Sequence, residues 1–178
     1  MLRITSLLLF GTNIYFMLLK KNLKYLFPLM AIVSLSLFSC DKEKTSISYS
    51  QQLEIDKGKL RDYLTANNIV ADSTPEGLYF IIDSKIDSST TKPTPSSNIQ
   101  LNYKGYLLNG KVFDSGNNVT FNLSKLIEGW QVGLVHFSEG DRGRLFIPSG
   151  LAYGTTGSGS IPPNSPLIFD ITLLKVLE

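Results

Sequence analysis

The only tryptophan of the 178-residue chain, Trp130, sits in the run Leu126-Ile127-Glu128-Gly129-Trp130, with Leu134 and Phe137 at the following i+4 and i+7 positions. That spacing gives a helix entered near Ile127 one apolar face, opened by the indole. On a first helical turn, where backbone N–H groups lack intrahelical partners, an indole can floor an apolar pocket with a main-chain donor at its edge. The chemistry open to such a pocket is noncovalent: it seats an apolar ring and holds a carbonyl. The same side chain would also serve as plain core packing. Covalent and metal chemistry have little to draw on, because the chain has a single histidine, His136, and a single cysteine, Cys40. No phosphate-cradling glycine loop or Cys/His metal spacing is present, so neither cofactor nor metal is expected. His136 falls on the predicted helix but off its Trp130 face, where a surface position is expected.

The elements that must position Trp130 are mostly strands. Residues 78–82 read as a strand after the turn cluster Asp72-Ser73-Thr74-Pro75-Glu76-Gly77, and residues 83–98, rich in Ser, Thr and Pro, read as a loop. Ile99, Leu101 and Tyr103 alternate with polar residues, the period of a strand with one wet face. Asn109-Gly110 between apolar runs predicts a hairpin, since both residues tolerate positive φ. Residues 114–118 read as a loop, 119–123 as a strand, 143–148 as another, and 167–177 as the last. Residues 149–164, glycine-rich with Pro162 and Pro163, form an exposed loop longer than a connector needs. Upstream, Leu53, Leu60 and Leu64, with Ile55 and Tyr63 beside them, predict a helix over residues 51–68. Its apolar stripe packs either on its own domain or on a second copy. Many strands around one short helix indicate an α+β fold with an antiparallel sheet.

The N-terminal stretch has a different character. Lys20, Lys21 and Lys24 precede an apolar run over residues 26–38 that ends at Ser39-Cys40, the layout of a secretory signal with a small residue at the cut. A lone cysteine directly after such a run looks like the lipidation site of a bacterial lipoprotein signal. Residues 1–39 are then a signal peptide, with Met17 as an alternative start, and residues 40–50 a lipid-anchored tether. Thirteen residues are short for a membrane span. Four of the seventeen Lys and Arg residues precede Cys40 and none of the fifteen acidic ones do, so the remainder carries a net charge of −2. No basic patch for nucleic acid remains.

Read together, the segments from about residue 77 to 178 resemble the FKBP-type peptidyl-prolyl cis-trans isomerases. The resemblance rests on Leu101-Asn102-Tyr103-Lys104-Gly105, Gly110-Lys111-Val112-Phe113-Asp114-Ser115, Leu126-Ile127-Glu128-Gly129-Trp130, Gly140-Asp141-Arg142-Gly143-Arg144, Leu151-Ala152-Tyr153-Gly154, Ile161-Pro162-Pro163-Asn164 and Leu167-Ile168-Phe169-Asp170, in that order. It implies an antiparallel sheet wrapped around a short helix, here preceded by the helix and turn of residues 51–76. Carried over by position, it makes Asp114, Tyr153, Phe113 and Trp130 catalytic residues, and Tyr103, Leu126, Ile127, Ile161 and Phe169 substrate-binding ones. Trp130 would lie beneath a proline ring, and the Ile127 N–H and Tyr153 hydroxyl would donate to substrate carbonyls. The Asp114 carboxylate would either orient Tyr103 or face the twisting amide.

The implied activity is rotation of X-Pro bonds in an apolar groove, aiding the folding of exported proteins outside the cytoplasm. The implied partners are proline-containing peptides or proteins and a membrane reached through lipid on Cys40, with a macrolide as a further ligand class. The alternative is a non-catalytic binding or chaperone module of the same fold on the membrane surface.

Overall fold

The computed structural model describes residues 47–85 and 91–177. The expected signal peptide, Cys40 and most of the tether lie outside the described residues.

Helix α1 (Tyr49–Ala66) begins two residues before the predicted 51–68 span, because Ser48 caps it: its hydroxyl accepts the Gln51 N–H, while the Gln51 side chain accepts the Ser48 N–H. Two otherwise orphaned donors are satisfied by this reciprocal pair. The helix ends where Asn68 takes a left-handed φ of 54°, and Ile69 N–H reaches back to Leu64 O at 2.9 Å. A C-terminal turn of this kind normally uses glycine; asparagine is the usual substitute. The buried positions are Gln52, Asp56, Leu60 and Leu64. The inward stripe is therefore polar in its first half, and the expected Ile55 is 42% exposed. Four-residue spacing decided the face, and hydrophobicity alone misread its first turns.

Six strands follow: β1 (Asp72–Ser73), β2 (Tyr79–Lys85), β3 (Asn98–Leu107), β4 (Val112–Asn122), β5 (Asp141–Ile147) and β6 (Leu167–Leu177). They form one sheet in the order β1-β2-β5-β6-β3-β4, antiparallel throughout. Strand alternation sends side chains to two faces. On one face Leu145, Ile147, Leu167, Phe169, Ile171 and Leu173 join Trp130, Leu134 and Phe137 in the main core. On the other, Phe146 and Ile168 meet Leu60 and Leu64 of α1 in a smaller one. Thus the apolar half of the α1 stripe packs on its own sheet.

Helix α2 (Glu128–Leu134) lies against the main-core face. Gly129 and Gly133 sit one turn apart on its sheet-facing side. A Cβ on either would lie 2.3 Å from Ile147 or 2.7 Å from Leu145. Their missing side chains let the helix approach closely and bring the following residue, Trp130, down onto the aromatic side chains of the sheet.

Three local expectations change. Residues 114–118 are not a loop: β4 runs through them, and the ladder slips between Leu101↔Val119 and Tyr103↔Gly116. The extra residue is absorbed by a bulge in which Asn118 has φ 54° and its N–H donates to Asn102 Oδ1 at 2.7 Å. Polar turn-forming residues can mark a bulge as well as a loop. At the β3–β4 hairpin only Gly110 has positive φ (82°), and Gly110 N–H bonds Leu107 O. Because the Leu107 N–H also bonds Lys111 O, residues 108–110 form a three-residue connection rather than a two-residue Asn-Gly turn. His136 also departs from expectation: it lies beyond the end of α2, is half-buried, and stacks on Phe80 with centroids 4.4 Å apart.

Candidate active site

Between α2 and the far half of the sheet a cavity of about 380 Å³ opens, lined by Tyr103, Phe113, Asp114, Phe121, Lys125, Leu126, Ile127, Trp130, Tyr153 and Phe169. Trp130 is its centre. The indole stands nearly perpendicular to Phe169 (5.1 Å, 86°) and Tyr103 (5.3 Å, 81°), with Phe121 at 6.3 Å and 72°. Phe113 in turn meets Phe169 edge-on at 5.5 Å. Edge-to-face pairs at these separations set a ring's positive rim against its neighbour's negative face, which holds a box of rings without collapsing it. Gly105 of β3 makes room for it: a Cβ there would lie 2.6 Å from Phe113 and 2.7 Å from Phe169.

The polar groups are few. Tyr103 OH donates to Asp114 Oδ2 at 2.7 Å, and Ser115 N–H donates to Asp114 Oδ1 at 2.8 Å, so both carboxylate oxygens are engaged. Of the two placements open to Asp114 on sequence grounds, the structure has the carboxylate on the Tyr103 hydroxyl. Burial first, and this bond to Asp114 second, push the Tyr103 phenol up to about 12. The Tyr153 phenol is also raised, by burial and then by the charge of Asp114. Both therefore stay protonated, as donors, at neutral pH. Tyr153 is 37% exposed and its hydroxyl bonds to nothing else among the described residues. Ile127 occupies the N-cap of α2 and its N–H has no backbone acceptor among them. Trp130 Nε1 is buried and has no hydrogen-bond partner among the described residues, at a cost of about 1–3 kcal/mol for a desolvated donor.

Eight of the nine expected groove residues line this cavity. The ninth, Ile161, is buried in the main core that also holds Trp130 and Phe169. Phe121 and Lys125 line it without having been singled out. Phe121 was signalled by its alternation with Val119 on a strand, but Lys125 had no signal beyond a charge beside an apolar run. Among the described residues no group of three or more His, Cys, Asp or Glu could hold a metal, and no helix is long and apolar enough to cross a membrane.

Comparison with known proteins agrees with this geometry. Residues 89–174 match the family model for the FKBP-type peptidyl-prolyl cis-trans isomerase. The chain is 36% identical over 137 residues to the FKBP-type isomerase FkpA of Buchnera aphidicola, covering 75% of this chain and 54% of that one. It is 43% identical over 111 residues to the macrophage infectivity potentiator of Trypanosoma cruzi, covering 58% and 55%. The chain thus spans about half the length of these curated relatives. The crystal structure of a Pseudomonas syringae peptidyl-prolyl cis-trans isomerase superposes with a TM-score of 0.60 at 28% identity, over 75% of this chain and 99% of that one. Through its six-stranded sheet, its aromatic cavity and these matches, residues 89–174 of the chain are identified as an FKBP-type peptidyl-prolyl cis-trans isomerase domain.

Proposed function

We propose that the chain is a peptidyl-prolyl cis-trans isomerase that works on exported proteins while held to a membrane by lipid on Cys40. The observation that carries the catalytic part is the cavity: about 380 Å³, walled by Tyr103, Phe113 and Phe169, floored by Trp130, with Tyr153 among its lining residues. Its size falls in the range of small-ligand sites, roughly 300–1,000 Å³.

Rotation about an X-Pro bond faces a barrier of about 18–20 kcal/mol because amide resonance is lost as the bond twists. No bond breaks, so neither a nucleophile nor a metal is required. The twisted amide is less charge-separated than the planar one, so water stabilises the ground state more than the transition state, and a dry aromatic cavity reverses part of that preference. Phe113, Phe169 and Trp130 supply the dry walls. Tyr153 and the Ile127 N–H act as donors that hold the flanking carbonyls while the bond turns. Asp114 aligns the Tyr103 ring through the 2.7 Å bond between them. Every factor of ten in rate asks about 1.4 kcal/mol of these contacts.

The basic residues at 20, 21 and 24, the apolar run and Cys40 support export and anchoring. Exchange of a proline-containing peptide, followed by NMR with and without the full chain, tests the activity. Peptide binding without faster exchange would leave a binding module instead.

A further inference from the structure

We infer that Asp56, on helix α1, is a positioning residue for Tyr153, so that α1 belongs to the framework of the groove; the inference rests on the isomerase reading above. Asp56 has no exposed surface. Its Oδ2 accepts the Ser149 N–H at 2.8 Å and also the Ser149 hydroxyl, while its Oδ1 accepts Gln52 Nε2 at 2.8 Å and lies 3.6 Å from Lys59 Nζ.

Ser149 opens a short 3-10 turn, Ser149–Leu151, whose N-cap is Pro148, a residue with no side-chain acceptor. Orphan N–H groups at a helical start need an acceptor. Asp56 supplies one from a different element. Further bonds carry the constraint along the loop that bears Tyr153. Ser149 O accepts the Gly154 N–H at 2.8 Å, Gly154 O accepts the Asn164 N–H at 2.8 Å, and Asn164 O accepts Lys59 Nζ at 3.5 Å. The chain of bonds leaves α1 at Asp56 and returns to it at Lys59. Tyr49, in the first turn of α1, lies over Gly150, where a Cβ would be 2.6 Å from its ring.

Tyr153 lies between Ser149 and Gly154, the two ends of one of these bonds. Its hydroxyl has no partner of its own among the described residues, so its place at the cavity is inherited from the loop backbone. A buried carboxylate is a poor way to glue a helix to a sheet, because desolvation offsets most of the attraction. Leu60 and Leu64 already perform that task. An acceptor at 56 does what a leucine would not: it fixes one backbone position of a glycine-rich loop.

The test is a double-mutant cycle on the full chain, with kcat/KM for X-Pro exchange measured for Asp56→Ala, Tyr153→Phe and the pair. Amide hydrogen exchange and urea midpoints are read on the same samples. Asp56→Ala should lower kcat/KM about tenfold in the wild-type background and less than twofold in Tyr153→Phe, and Asp56→Asn, which keeps an acceptor oxygen, should recover most of the loss. The Gly154 and Asn164 amides should lose protection at least tenfold while the β5–β6 ladder does not. Should Asp56→Ala fail to fold, Ser149→Ala, which removes only the hydroxyl donor, should give about a threefold loss under the same readouts. Equal losses in both backgrounds, or unchanged protection at Gly154 and Asn164, would overturn the inference. A wild-type chain that does not accelerate exchange refutes the isomerase reading instead, and the protection data then still decide whether Asp56 holds the loop.

Discussion

Trp130 meets Phe169 with ring centroids 5.1 Å apart and planes at 86°. One residue comes from the first turn of α2 and the other from the last strand, so the cavity floor exists only where two distant parts of the chain are pressed together. That pressing depends on Gly129 and Gly133, and the resulting rings define both the shape and the dryness of the groove.

Replacing the floor should separate activity from folding. Trp130→Leu and Phe113→Ala are each expected to lower kcat/KM for X-Pro exchange more than tenfold while the domain remains folded. The Trp130 change should cost about 1–3 kcal/mol of stability, less than the loss of a ring with a satisfied donor would, because its orphan Nε1 leaves with it. Proline-limited refolding of a substrate protein, with urea unfolding of each variant, checks both parts. Rates equal to wild type in both variants would refute the catalytic reading.

Tyr103 makes stability sensitive to alkaline pH. Its phenol stands near 12 in the fold, against about 10 in an unfolded chain. Between those values the folded state binds more protons than the unfolded one, so stability is fully present below pH 10 and is lost as pH rises towards 12. Urea midpoints at pH 9, 10 and 11 should fall more steeply for wild type than for Tyr103→Phe. Parallel curves would show that this phenol is not held by burial and Asp114.

Gly129→Ala opposes two effects whose sizes can be compared. Alanine is favoured over glycine in a helix interior by about 1 kcal/mol, but its Cβ would stand 2.3 Å from Ile147, and overpacking costs about 1–3 kcal/mol. The clash should win. A lower unfolding midpoint together with weakened exchange activity is expected, since lifting α2 moves Trp130. A stabilised variant with normal activity would mean that the helix has slack against the sheet.

Membrane attachment is open to a separate test. Cys40→Ser should shift the protein from the membrane fraction to the soluble fraction and abolish incorporation of a labelled fatty acid, with kcat/KM unchanged. Continued membrane association of the variant would assign the attachment to another feature.

Much of this molecule could be read locally. Alternation in Leu167, Phe169, Ile171 and Leu173 specified which side of β6 faces the core, and the i, i+4, i+7 spacing of Trp130, Leu134 and Phe137 specified the face of α2, because side-chain direction follows backbone period. The ordered motifs then pointed to the family resemblance and to eight residues that the fold brings round one cavity. Tertiary structure alone decided the remainder. Asn117 and Asn118 read as a loop until the β3 ladder ran past them, and the polar first half of the α1 stripe acquired a purpose only when Ser149 was set against Asp56. Pairing across 93 residues leaves no period in the sequence, since its energy comes from contacts that exist only after the chain has closed on itself.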